Sequence, residues 1–374
     1  MVICFKCPST TKKVLDDLLQ NGDYSDYAEL ISCAVENFAV LHRHLATKDS
    51  MIIETSGASA REALDVGSNV HLRVPREQSQ RGRDKPLFAS KLPSVPEIFL
   101  LDELINQHPT FSSLPTSEWQ NGQEIPLNRW VFGQYNKLLP AKASCRALAH
   151  MLKNSPDGLE ISKIAWQISE EAWALGDVLA AWDRFYHFHR DDALATAFPS
   201  TFDGRRRYAN QFVASVTKEG QISGLLFDLK LINHAKEDAR RILLTEAGWK
   251  FALMRSPVLD KGGEKPTRKF TEEETEFLLD HVTRNVPAED FAYRCILKAI
   301  ANGADNPDKI DAALLKHISR DAQEKLSKSF LSSQRSGAIS RMTDLGLVKR
   351  AREGVKVSYL VTLTIGAEFL KGIS

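Results

Sequence analysis

Between residues 325 and 356 the chain concentrates positive charge. Lys325, Lys328, Arg335, Arg341, Lys349, Arg350, Arg352 and Lys356 face only Asp344 and Glu353 there. The 374-residue chain as a whole carries 49 Lys and Arg against 48 Asp and Glu, a net charge of +1. A local excess of this kind suits a polyanion, because neutralising phosphates releases condensed counterions. Arginine and glutamine can also read base edges through paired hydrogen bonds. A second set, His187, His189, Asp191 and Asp192, has ligand types that can hold a metal for phosphodiester hydrolysis. Trp182, Phe185, Tyr186 and Phe188 surround it, which favours a packed helix end with solvated charges. Cys4 and Cys7 form a CxxC pair, but on a strand they point to opposite faces, and zinc needs about four ligands. No metal, cofactor or catalytic residue is therefore expected. Trp166, Trp173 and Trp182 are read as core, since the nearby charges are acidic and stacking on single strands needs a basic groove.

The elements needed to present the basic cluster can be read from its apolar spacing. Ala338, Ile339, Met342 and Leu345 make one helical face, leaving Ser333, Gln334, Arg335, Gly337 and Arg341 for the other. Gly346 ends the helix, and Leu347-Val348 begin a strand. Residues 350–356 turn at Gly354, and Val357, Tyr359 and Val361 alternate on the return strand. The run Ile339 to Arg350 closely resembles the recognition helix and wing of winged helix-turn-helix transcription regulators, over about residues 290–374. The resemblance implies that the 333–341 face reads the major groove. Lys349, Arg350, Arg352 and Lys356 would then reach phosphate.

A weaker copy is expected over 140–255. Helices at 142–153 and 161–175 would be its first two. A helix after Arg205-Arg206-Arg207 would be the third, and 232–243 the wing, with Lys236, Arg240 and Arg241. Two stretches support an internal repeat: Gly220-Gln221-Ile222-Ser223 before Asp228-Leu229-Lys230-Leu231-Ile232, and Gly337-Ala338-Ile339-Ser340 before Asp344-Leu345-Gly346-Leu347-Val348. Each is followed by a charged hairpin, a Leu-Thr pair, then Gly248 and Phe251 in one case and Gly366 and Phe369 in the other.

At the N-terminus, a strand at 2–7 precedes two helices separated by Asn21-Gly22-Asp23. Phe5-Lys6-Cys7-Pro8, Leu15, Leu18, Leu19, Gly22, Tyr24 and Glu29-Leu30-Ile31 resemble the ribbon-helix-helix family over about residues 1–45. The resemblance implies a homodimer through paired strands, with Lys6 as the outward polar reader. Asp26 would repel phosphate at the second helix start.

The fold expected is mainly α with small β-wings. A ribbon-helix-helix module (1–45) and a linker with a short helix (46–127) lead to a helical domain offering a first winged helix (128–260). A winged helix-turn-helix domain (270–374) follows. Five scattered cysteines do not form a disulfide framework, and no apolar run spans a bilayer, so a cytoplasmic protein is expected. The function expected is sequence-specific double-stranded DNA binding by a homodimeric transcriptional regulator rather than an enzyme. A plasmid replication, maintenance or phage-defence component and a metal-dependent nuclease are the alternatives. Effector ligands are not legible.

Overall fold

The computed structural model describes residues 52–53, 69–70 and 92–372, apart from 102–103, 105–108, 121–122, 190, 218–219, 236–237, 239, 262–263, 317–326 and 354–355. The chain divides after Ala89. The first unit contributes β1 (Ile52–Ile53) and β2 (Asn69–Val70), paired in parallel. The expected ribbon-helix-helix module, its Lys6 and the basic stretch at 73–85 lie outside the described residues. The second unit is mainly helical with small sheets, as expected. No described helix is long and apolar enough to cross a membrane. Of the short helix expected at 96–106, the described residues show a single 3-10 turn at Glu97–Phe99.

At the centre of the second unit is α1 (Leu139–Leu152), with Pro140 in its first turn, where the missing N–H costs nothing. Its alanine-rich sequence lets other elements approach on every side. β3 (Leu159–Glu160) leads into α2 (Ile161–Phe185), which runs ten residues past the boundary expected at 175. Then come α3 (Phe202–Tyr208), a π-helical turn at Ala209–Val213, and the small antiparallel pair β4 (Ser215–Val216) and β5 (Ile222–Ser223). A short helix α4 (Leu225–Asp228) leads into β6 (Ile232–His234), β7 (Arg241–Leu244) and α5 (Glu246–Leu253). The sheet order is β3-β7-β6, all antiparallel. The helix immediately before this hairpin is therefore α4, not the helix after Arg205–Arg207 that the sequence suggested.

The second half repeats the plan. α6 (Glu272–Asn285) begins with a capping box in which Thr271 and Glu274 satisfy each other's backbone N–H. It is followed by α7 (Pro287–Ala301), α8 (Pro307–Leu315) and α9 (Lys328–Asp344). Asn306 and Ser327 cap the last two through side-chain oxygens. β8 (Val348–Glu353) and β9 (Lys356–Val361) form a six-pair hairpin, and α10 (Ile365–Lys371) closes the chain. The Tyr359 N–H donates to the Asp305 carbonyl at 2.7 Å, so the α7–α8 connection lies against the hairpin as β3 lies against β7.

Hydrogen bonds make the repeat concrete. Leu231 N donates to Leu226 O, and Leu347 N to Met342 O, at 2.8 and 2.9 Å. Lys230 and Gly346, both with positive φ, provide the left-handed turn that ends each helix. Thr245 N donates to Leu231 O, and Thr362 N to Leu347 O. The threonine hydroxyls then accept from Gly248 N and Gly366 N. At both glycines a Cβ would collide with the carbonyl of Leu231 or Leu347, so no larger residue fits. The threonine equivalent to Thr245 is thus Thr362 rather than Thr364.

Buried charge ties the halves together. Lys142 pairs with Glu274 at 2.8 Å and donates to the carbonyls of Phe251 and Met254. Arg146 grips Asp260 with two bonds of 2.6 and 2.7 Å and reaches Ala252 O and Met254 O. These cations satisfy the carbonyls left open at the end of α5. Burial lowers the Lys142 ammonium to about 8, with Glu274 opposing that shift.

Candidate nucleic-acid interface

α9 does not present the expected reading face. It is covered on two sides. Leu331, Ala338, Met342 and Leu345 belong to the core. Gln334, Gly337 and Arg341 pack on the segment 127–135. Arg341 is wholly buried, bidentate to Glu289 at 2.5 and 2.8 Å, and donates to Tyr135 O at 2.6 Å. Gln334 bridges Gly133 N and Leu127 O. A Cβ on Gly337 would collide with the Gly133 backbone and one on Gly133 with the Ser333 carbonyl, so neither position tolerates a larger residue. Arg335 is tied to Asp311 at 2.5 Å and to Pro307 O at 2.9 Å. Gln334, Arg335 and Arg341 are therefore joints of the scaffold, and their expected assignment to base reading is corrected. Breaking so buried an ion pair to reach DNA would leave an uncompensated charge inside the protein.

What α9 leaves outward is Lys328, Ser329 and Ser336, with Ser332, Ser333 and Ser340 partly covered. Ser329, Ser332, Ser336 and Ser340 lie three or four residues apart, with Lys328 and Ser333 beside them, which places the set along one side of the helix. Ser333 and Ser336 line one wall of a 560 Å³ cleft. Gln134 and Asn136 line another, and Arg207 and Gln211 belong to α3 and the turn after it. Gln211 donates to Gln134 Oε1 at 2.9 Å across it.

The hairpin has two chemically different faces. Direct partners in an antiparallel pair project to the same side. Lys349 pairs with Leu360 and Glu353 with Lys356, so Lys349 and Lys356 share a face with Leu360. Both lysines are exposed, and neither has a partner among the described residues. Leu360 is 54 % exposed. Arg350 and Arg352 lie on the opposite face and hold Asp191, with contacts of 3.0–3.2 Å. The four cations expected to act as one wing are thus split into two lysines without a described partner and two engaged arginines.

The first repeat places its cations differently. Arg205 pairs with Glu170 at 3.3 Å and lies over the Trp166 ring at 4.4 Å, so it braces α2. Trp182 is buried and Trp166 is 37 % exposed under that arginine. Arg206 pairs loosely with Asp203, while Arg207 is exposed without a described partner. Arg241 caps the Gly158 carbonyl. Arg240 is exposed, and Lys236 lies outside the described residues. Among the described residues, no three His, Cys, Asp or Glu side chains converge as a ligand set. Asp191, a member of the proposed His187–His189–Asp191 set, is the carboxylate on the hairpin arginines. Sequence reasoning missed the segment 127–138, whose polar residues and carbonyls receive the α9 contacts. Asn136 and Lys137 are its only sequence cue, and they are not specific.

Asp228 and its repeat equivalent Asp344 both meet this segment. Asp344 accepts from Leu138 N at 3.2 Å and from Lys137 and Lys269 at 3.4 and 3.1 Å. Loss of solvent pushes the Asp228 carboxyl up to about 7, opposed by Arg341 and by a bond from the Phe132 backbone.

No protein-family model matches the chain, and neither a curated protein nor a solved structure matches it.

Proposed function

We propose that this chain binds double-stranded DNA through its second repeat, as a winged helix-turn-helix protein with a displaced contact surface. The observation that carries the reading is the order of parts. Three helices, α7, α8 and α9, are followed by a hairpin, and the first inter-helix connection lies against the return strand. A helix and an adjoining two-stranded wing can engage a groove and its flanking phosphates together. In this reading the lysine face of the hairpin, Lys349 and Lys356, contacts phosphate. The outward side of α9, Lys328 through Ser340, faces the duplex. Arg207, which lines the cleft with Ser333 and Ser336, adds a cation beside that side of α9. Serine hydroxyls donate and accept and are tolerant of base identity, so sequence preference is modest and affinity is salt-dependent.

The biological role proposed is transcriptional regulation. A second reading, a replication or maintenance factor, is favoured by the presence of two such repeats in one unit. A homodimer through the N-terminal module belongs to the same proposal. Selection over random duplexes with the full chain tests it. Enrichment of a recurring site, weakened by Lys349→Ala with Lys356→Ala, supports the proposal. Absence of any duplex affinity at low salt removes it.

A further inference from the structure

Asp191 occupies a position that an anion from outside could take. Arg350 and Arg352 stand two residues apart on β8 and project to one side. One carboxylate spans them, with Oδ1 3.2 Å from Arg350 and 3.1 Å from Arg352, and Oδ2 3.0 Å from the Arg352 Nε. Two guanidinium groups converging on a pair of oxygens is the arrangement that also receives phosphate.

The segment delivering the carboxylate is held in place. Asp183 accepts from the Leu194 and Ala195 backbone N–H groups at 2.8 and 3.0 Å, and the Leu194 side chain is buried. His187 and Ala197, on either side of Asp191, take positive φ, an unfavourable backbone for non-glycine residues. The connection between α2 and α3 that carries Asp191 is therefore anchored by contacts of its own. The contact of Asp191 with the arginines is open to water. The side chains of Arg350, Arg352 and Asp191 are 24, 46 and 37 % exposed, so the attraction is screened and easily exchanged.

We infer that Arg350 and Arg352 form a binding site for a backbone phosphodiester of the duplex, which Asp191 fills in the unliganded chain. The inference rests on the DNA-binding reading and adds an internal competitor to it. Asp191 lowers affinity for every sequence alike, because it competes for phosphate and not for bases.

The test compares duplex affinity of the 374-residue chain with that of Asp191→Asn, Asp191→Glu and Asp192→Asn. Asp192 is exposed and has no described partner, so Asp192→Asn changes net charge equally without touching the arginines. Asp191→Asn is expected to bind about three- to ten-fold tighter at low salt, with a steeper salt slope. Asp192→Asn should change affinity less than about two-fold, and Asp191→Glu should stay near the native chain. Arg350→Gln with Arg352→Gln should erase the gain. Unchanged thermal unfolding identifies the gain as a binding effect. If Asp191→Asn matches Asp192→Asn, or binds more weakly than the native chain, the inference is overturned while the DNA reading stands. If native and variant chains alike fail to bind any duplex, the reading beneath it fails too.

Discussion

The two repeats share backbone geometry and differ in what they expose. In the first, the helix before the hairpin is only Leu225–Asp228, and the hairpin strands are sunk in the core, with Ile242 and Leu244 fully buried. In the second, the corresponding helix has 17 residues, and the hairpin stands out with Lys349, Lys356 and Leu360 in solvent. The paired turns at Lys230 and Gly346, and the Thr–Gly bonds after each hairpin, are the same. One framework therefore serves as a brace in one half and as a surface in the other. The difference lies in the length of the helix before each hairpin and in the side chains each hairpin exposes, not in the turns that join them.

Substitutions at equivalent positions can break this comparison. The largest effect is expected at Arg341 and its counterpart Leu225, both fully buried. Arg341→Ala leaves Glu289 buried without its partner and should cost about 3–5 kcal/mol. Leu225→Ala should cost about 2–5 kcal/mol by opening a cavity. Denaturant unfolding measures both. An Arg341→Ala chain of native stability would return that residue to the surface.

The next effect concerns pH. Asp228 is held protonated well above the ordinary carboxylate value, up to about 7. Between those values the folded state keeps a proton that the unfolded state releases. Its contribution is complete at acid pH and is lost as pH rises to about 7, at up to about 1.4 kcal/mol per pH unit. Relative to Asp228→Asn, the native chain should therefore lose stability between pH 4 and 7. Parallel stability curves would remove this role.

Smaller again are Gly248→Ala and Gly366→Ala. Each pushes a methyl group against the carbonyl of Leu231 or Leu347. Each should cost about 1–3 kcal/mol, and the costs should be similar. A large cost at one site and none at the other would dissolve the equivalence of the repeats.

Much of this was legible in the sequence where the cause is local. Gly346, the Leu347-Val348 start and the alternation of Val357, Tyr359 and Val361 located the second hairpin. The Asp-Leu-x-Leu match between 228–231 and 344–347 located the repeat. The misreading of Gln334, Arg335 and Arg341 has a physical reason. Their partners Gly133, Asp311 and Glu289 are 24 to 201 residues away, and polar residues on a helix look solvated until those partners are known. The same holds for Arg350 and Arg352, whose carboxylate comes from Asp191. The inserted α3 and β4–β5 segments hid the true helix before the first hairpin, because four residues carry little periodicity.

The most direct test of an interface centred on the second hairpin is duplex affinity against salt concentration. It compares the native chain, Lys349→Ala with Lys356→Ala, and Arg240→Ala on the first hairpin. All three should unfold within about 0.5 kcal/mol of one another, since the side chains are exposed. The expected result is salt-sensitive binding by the native chain and by Arg240→Ala. The double variant should be weaker for all sequences, with its log–log salt slope flatter by about two. Equal slopes in all three, or a loss caused by Arg240→Ala alone, would contradict the assignment of the binding surface to the second repeat.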